Sequence, residues 1–274
     1  MHKFKCVNCG EPAPALYKTY GPTVLKLTKC VKCKGVVDKY IEYDPVIVII
    51  DLVLLTKEAQ RHILYNTEFK SFWKLFIILI MLETYGMWRK DSLLNIAINS
   101  LCGIKSNTTI NLPKLDIPVM ISWPESWKNN CWAWVPEERD DIADLFIWEK
   151  TFYIESVATF TSAVALMVTV CGLMSIMKCF IALNDVSAAR ALKAFSLAHV
   201  SAVASLPVLV WGHDAAALTH HVLAAAYSAA NAAPLAAVLY ECSVMLTLPV
   251  IVVGYCAKYA TYFFVTPYLK AFIS

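Results

Sequence analysis

Polar and apolar positions divide this chain into unequal parts. Residues 1 to 45 are polar and lysine-rich, whereas long uncharged runs dominate after residue 150. Between Glu155 and Lys178 lie 22 uncharged residues, Ser156 to Met177, which at ~1.5 Å per residue cover the ~30 Å hydrocarbon core of a bilayer. Ala194 to His213 is a second such run of 20 residues and contains Pro207, a kink that a membrane helix tolerates where neighbours satisfy the freed carbonyl. A third runs from Leu235 to Ala257, with Glu241 near its start and Pro249 inside. A fourth, Phe72 to Trp88, holds Lys74 at one end and Glu83 towards the other. Lys74 can snorkel to the interface, but Glu83 must sit near a headgroup, pair or protonate. The pattern predicts an all-α multi-pass membrane domain of four spans, one at 71 to 90 and the rest within 151 to 274. The Ala-rich stretch 215 to 240 leaves an alternative open: a re-entrant or interfacial helix, or itself a span, with the next helix shifted to 242 to 265 and the C-terminus reversed. Its adjacent His220 and His221 point about 100° apart on a helix and make no chelating pair by themselves.

The run VIVIIDLVLL, Val46 to Leu55, is too short to span and is interrupted by Asp51. Continued as one helix through Asn66, it places Asp51, Glu58 and His62 at spacings of seven and four, a polar stripe on an apolar cylinder. That geometry suits an amphipathic helix over 46 to 70 lying in the membrane interface, with Ile49, Leu52, Val53 and Ile63 in the acyl boundary. The alternative is a helix or strand packed on the small N-terminal domain.

Composition supports the membrane reading: 58% of residues are apolar and 16% charged, against about 45 to 50% and about 25% in ordinary globular chains. A net charge of +3, spread over the whole length, is too weak to make nucleic acid the main partner. The first 45 residues contain no apolar run followed by a small-residue cleavage site, so no signal peptide is expected and the N-terminus should stay cytosolic. Residues 1 to 71 hold 11 lysines and arginines, and the 178 to 193 connection holds Lys178, Arg190 and Lys193, while 212 to 234 holds none. The positive-inside rule then puts both termini in the cytosol and 91 to 150 in the lumen; Arg89 and Lys90 disagree. The lumenal segment carries the sequon Asn107-Thr108-Thr109, a glycosylation candidate. It also carries Cys102 and Cys131, which a lumenal location permits to pair and which are otherwise two free thiols. Five of the eight tryptophans, Trp123, Trp127, Trp132, Trp134 and Trp148, fall there, as suits either a membrane interface or a small folded core.

The chemistry-bearing motif is Cys6-x2-Cys9 followed, after 20 residues, by Cys30-x2-Cys33. Each pair forms a tight knuckle presenting two thiolates, and the interval allows a hairpin that returns the second knuckle to the first. Gly10 and Gly35 follow the knuckles, where positive φ is often needed. A small β-rich zinc ribbon over residues 1 to 45 is expected, with one structural zinc, because four thiolates leave no open coordination position. Two disulfides and a redox dithiol are the rivals; the cytosolic location opposes the first and the lack of a βαβ pattern the second. Catalytic motifs are missing, and no enzyme is expected. His199 and Glu241 are the ionisable groups at the spans to which a membrane enzyme would turn.

The ribbon, then Asp38-Lys39-Tyr40 with Glu42, then Asp51 in the apolar run, then Arg61-His62 and Asn66, resembles the Arv homology region of the Arv family over about residues 4 to 75. The resemblance implies an endoplasmic reticulum membrane protein of sterol and sphingolipid homeostasis, including sterol movement from that compartment and delivery of glycosylphosphatidylinositol intermediates. It also implies that Cys6, Cys9, Cys30 and Cys33 are the zinc ligands. Two readings of function follow. In one, the spans, kinked at Pro207 and Pro249 and lined by Ser201, Ala202, Ala204 and Ser205, form a groove for a membrane lipid such as a sterol. In the other, the ribbon is an adaptor that recruits a protein partner and the helices only anchor it.

Overall fold

A computed structural model describes residues 4–21, 24–68, 70–89, 92–103, 125–135, 144–181, 186–207 and 217–273. Contacts divide the chain into two units. The first comprises Met1–Leu75, Ile176–Ala198 and Ala229–Pro249; the second comprises Phe76–Ser175, His199–Ser228 and Val250–Ser274.

In the first unit two short antiparallel hairpins come first, β1 (Phe4–Lys5) with β2 (Pro12–Ala13) and β3 (Tyr17–Thr19) with β4 (Leu25–Leu27). Their register pairs Phe4 with Ala13 and Tyr17 with Leu27. The apolar core here is only Cys6, Ala13, Leu16, Cys30 and Val37, too little to hold a domain of this size unaided. Helix α1 (Pro45–Val53) starts where a sequence should start one: Pro45 stands at the first helical position, and the Asp44 carboxylate accepts from the Val46 N–H at 2.8 Å.

The single helix expected over Val46 to Asn66 is replaced by three pieces. α1 stops at Val53, Leu55 takes a left-handed φ of 59°, α2 (Lys57–Arg61) restarts, and a π-helical turn covers His62–Asn66. The cause is the Asp51 carbonyl, which accepts from both the N–H and the hydroxyl of Thr56 and so turns the chain back. The break alters the faces. Leu52 and Ile63 pack against the cluster of Val7, Tyr40, Val48 and Ala59 and not at the acyl boundary, while Val46, Ile47, Ile49, Ile50, Val53 and Leu54 form an exposed apolar ridge.

Among the described residues three helices are long and apolar enough to cross a membrane: within α6 (Asp144–Met177), within α8 (Ala217–Tyr240) and α9 (Val244–Ile273). The four expected spans are not confirmed as a set. α3 (Phe72–Trp88) forms with 17 residues, a rise of about 26 Å at the short end of what crosses a bilayer. The run from Ala194 is broken: α7 (Ala188–Ala198) ends in a 3-10 segment, His199–Ser205, and the Asn231 side chain donates to the Ala198 carbonyl; residues 208–216 lie outside the described residues. The expected helix from Leu235 to Ala257 is a hairpin instead. Glu241 adopts φ 55°, the Cys242 N–H returns to the Ala237 carbonyl, and the Ser243 hydroxyl accepts from the Met245 N–H, so a Schellman stop and an N-cap follow each other within three residues. This is the alternative in which the Ala-rich stretch is itself a candidate span.

In the second unit the core joins Met87, Ile98, Ala133, Trp134, Ala158, Tyr262 and Phe263. α4 (Leu93–Leu101) is capped by Ser92 and tied to α3 by Asn95, whose amide donates to the Met87 carbonyl. Helices α6 and α9 meet at Gly254, where an added Cβ would come within 2.8 Å of Leu166 and Val170 side chains. A side chain there would force the Leu166 and Val170 methyls to move, and glycine lets the helices approach without that.

Candidate metal centre

The two knuckles repeat one hydrogen-bond pattern. Gly10 N–H donates to Cys6 and Cys6 N–H to Glu11; Lys34 N–H donates to Cys30 and Cys30 N–H to Gly35. Positive φ falls on Gly10 in the first knuckle but on Lys34 in the second, so Gly35 serves a different purpose: a Cβ there would crowd the Asn8 amide nitrogen at 3.2 Å. The Val7 N–H donates to the Val37 carbonyl and clips the knuckles together.

This brings all four sulfurs within 4.8 Å of one another. The crossed pairs Cys6–Cys33 and Cys9–Cys30 lie at 3.7 and 3.6 Å. A tetrahedral zinc with bonds of ~2.3 Å has sulfur–sulfur edges of about 3.8 Å, so the arrangement fits one tetrathiolate metal. It does not fit the disulfide rival, since all four are free thiols. Their environments differ: burial pushes Cys6 up to about 12, whereas the Cys33 backbone N–H, donating to Cys30, draws that thiol down to about 7. A divalent cation overrides such differences because it binds only the thiolate form.

Behind the knuckles the resemblance residues form a buried network. Asp38, fully buried, accepts from the Tyr40 N–H at 3.0 Å, the Asn66 amide at 2.7 Å and His62 Nδ1 at 2.7 Å. Asn66 also brackets Lys5, accepting from its N–H and donating to its carbonyl. Tyr40 donates its hydroxyl to Asp51 at 2.7 Å, and Lys39 lies over the Tyr40 ring. Arg61 Nη1 donates to the carbonyls of Val7 and Asn8 inside the first knuckle. The expected polar stripe therefore faces the ribbon: Asp51 and His62 are spent on it, Glu58 is half-buried, and His62 is not in water at all. Glu42 is exposed and stands outside the network.

Sequence reasoning missed two fasteners. The Tyr65 hydroxyl donates to the Val238 and Leu239 carbonyls at the end of α8, and Lys193 donates to the Thr67 carbonyl. Both join residues more than 120 positions apart, and no local pattern marks such pairs.

Of the remaining candidates, Cys102 and Cys131 are joined in a disulfide, and Asn107 lies outside the described residues. Trp134 stacks on Phe263 and Trp127 packs beside it, while Trp132 and Trp148 are exposed, so these tryptophans divide between core and surface. Glu83 resolves its burial by pairing with Lys258 Nζ at 2.5 Å, with His199 Nε2 4.0 Å away. Glu241 pairs with Lys5. Among the described residues the ribbon cysteines are the one group able to hold a metal.

A family model described as Arv1-like family matches residues 5–235. The human Protein ARV1 is 44% identical over 86 residues, covering 31% of this chain and 32% of the human protein. Protein arv1 homolog of Dictyostelium discoideum is 36% identical over 93 residues, 30% of this chain and 38% of that protein. Protein ARV 2 of Arabidopsis thaliana is 37% identical over 90 residues, 30% of this chain and 40% of that protein. The chain thus spans about a third of the length of the human relative it matches. No solved structure matches it.

Proposed function

This chain belongs to the Arv1-like family, and from that premise we propose that it is an endoplasmic reticulum membrane protein of lipid homeostasis that moves sterol and affects the handling of sphingolipids and glycosylphosphatidylinositol intermediates. No catalysis is expected at the metal centre, because four thiolates would close the shell of a zinc there and leave no position for water or substrate. The observation that carries the reading is the fusion of ribbon and helices within one unit, where Arg61, Asn66, Tyr65 and Lys5 bind the knuckle to the end of α8. A ribbon merely tethered to an anchor has no need of these bonds. The exposed ridge of α1 supports contact of that unit with lipid, at about 25 cal/mol for each Å² of apolar surface removed from water.

The ribbon and the Glu241 turn face the cytosol, and 91 to 150 faces the lumen, where its disulfide is stable. α9 then carries the C-terminus across, and Lys270 near its end meets the Ala133 carbonyl. Asn107 is accordingly glycosylated. A glycosidase-sensitive mobility shift, lost in Asn107→Gln, is the expected result, and digestion from the cytosolic side of a tag placed near residue 110 overturns this orientation.

The function itself is tested by photo-crosslinking the purified chain with a sterol probe. Labelling of the helices that survives removal of the ribbon supports lipid handling. Absence of labelling, with a protein partner retained by the ribbon alone, supports the adaptor reading in its place.

A further inference from the structure

The cations of the first unit are unevenly compensated. Four of them lie along the Tyr65 to Thr67 stretch. Lys5 Nζ stands 4.4 Å and the Arg190 guanidinium 5.0 Å from the ring centroid. Arg61 lies one helical turn before Tyr65, and Lys193 follows Arg190 on the same face of α7, donating to the Thr67 carbonyl at 2.7 Å. All four are half-buried. The carboxylate paired with this group is that of Glu241, on Lys5. Arg61, Arg190 and Lys193 make no ion pair among the described residues.

Such convergence of like charge works against folding unless something offsets it. Burial and then Arg190 draw Lys193 down to about 8, and burial, Arg190 and Arg61 lower Lys5. The donors are also incompletely used. Lys193 spends one of its three N–H groups on Thr67, and Arg190 presents its π face to Tyr65 with no side-chain hydrogen bond among the described residues. An unspent guanidinium fork beside an ammonium matches a phosphate, which the fork takes bidentately and the lysine as a point charge. The same unit contains the ends of α6 and α8 and the start of α9. On the membrane reading proposed above, on which this step rests, the group stands at headgroup depth, where anionic phosphate is abundant.

We propose that Arg190 and Lys193, with Lys5 and Arg61 beside them, form a binding site for the phosphate of an anionic lipid headgroup. Arg190 and Lys193 make no bond to the zinc knuckles, whereas Arg61 also holds the first knuckle through the Val7 and Asn8 carbonyls. The site gives the cytosolic end of the helices a means of holding one kind of lipid in place.

The test uses the full-length chain in neutral detergent, titrated with short-chain phosphatidic acid, short-chain phosphatidylcholine and inorganic phosphate. Saturable binding of phosphatidic acid is expected, weakened at least about tenfold by Arg190→Gln with Lys193→Met, as loss of two charged contacts requires. Lys18→Ala with Lys26→Ala, exposed on β3 and β4, should leave it unchanged. Competition by inorganic phosphate at like concentration identifies the phosphate group alone as the determinant; its failure identifies the lipid. Equal affinity of the Arg190/Lys193 variant, or an equal loss in the β-hairpin variant, overturns the site. Should the double variant lose its metal or fail to fold, Arg190→Gln alone keeps the test open, because the Arg190 side chain makes no hydrogen bond among the described residues. Sterol labelling of that same variant separates the two readings. Labelling retained with phosphatidic acid binding unaltered overturns the site and leaves lipid handling intact.

Discussion

The two units hold themselves together by opposite means. Within the first unit the ribbon has a small apolar core and a dense set of directional bonds: four thiols converging on one point, a buried Asp38 with three donors, and an arginine reaching into the knuckle. The second unit packs aromatic rings, Trp134 on Phe263 and Tyr262, between helices, and its buried carboxylates are met locally, Glu83 by Lys258 with His199 4.0 Å away and Glu155 by the Tyr262 hydroxyl. The comparison teaches where specificity resides. A domain too small to bury much surface relies on bonds that unfold it when any one fails, whereas a helical domain tolerates change except where a charge loses its partner or a backbone approach is blocked.

The sharpest break of that comparison is removal of the metal. Cys6→Ser with Cys33→Ser should take the zinc content of the full chain from one to zero by elemental analysis and unfold residues 1 to 45, since metal-binding free energy of about 10 to 16 kcal/mol is folding free energy in such a domain. Protease resistance of the helices should persist, and its loss would show that the units are not separately held. The next largest effect is in the second unit. Glu83→Gln leaves Lys258 buried without its carboxylate and should destabilise by about 3 to 5 kcal/mol, while Glu83→Leu with Lys258→Met should recover most of it. Thermal unfolding in detergent decides, and an additive double variant would refute the pairing.

Loss of the Cys102–Cys131 link, which closes a separation of 29 residues, should cost about 2 to 4 kcal/mol in the second unit and nothing in the metal content of the first. Asp38→Ala should cost about 2 to 3 kcal/mol by stranding its buried donors, with Cys thiols becoming more reactive as the knuckles loosen. The smallest effect concerns pH. Burial and then Arg190 bring Lys193 down to about 8 in the folded chain, against an ordinary lysine value of about 10.4, so between those limits the unfolded chain binds more protons and stability rises with pH. The wild-type midpoint should therefore gain on that of Lys193→Met between pH 8 and 10, and lie at a constant offset below pH 8.

The metal centre was readable because its spacing is local. A Cys-x-x-Cys knuckle closes within five residues, and 20 residues suffice for the return. Helix α1 was readable in part, from Asp44-Pro45 and the apolar run, but not its end, because the Thr56 bonds to Asp51 compete with continuation of the helix through bonds of similar strength. Span boundaries misled for a related reason. Hydropathy registers that 235 to 257 is apolar but not that Glu241 turns left-handed there, a strained geometry accompanied by the Lys5 ion pair from 236 residues away.

What the sequence alone determined is therefore the four-thiol ribbon, the apolar character of the later helices and the family-like block from Asp38 to Asn66, all set by short-range spacing and composition. What only the tertiary structure decided is where Asp38, Arg61 and Tyr65 spend their hydrogen bonds, which helix carries the partner of Glu83, and that Lys5 and Arg190 meet over one ring. Those outcomes depend on contacts between residues tens to hundreds of positions apart, and chain closure over such distances costs so little extra entropy per residue that local sequence carries no trace of it.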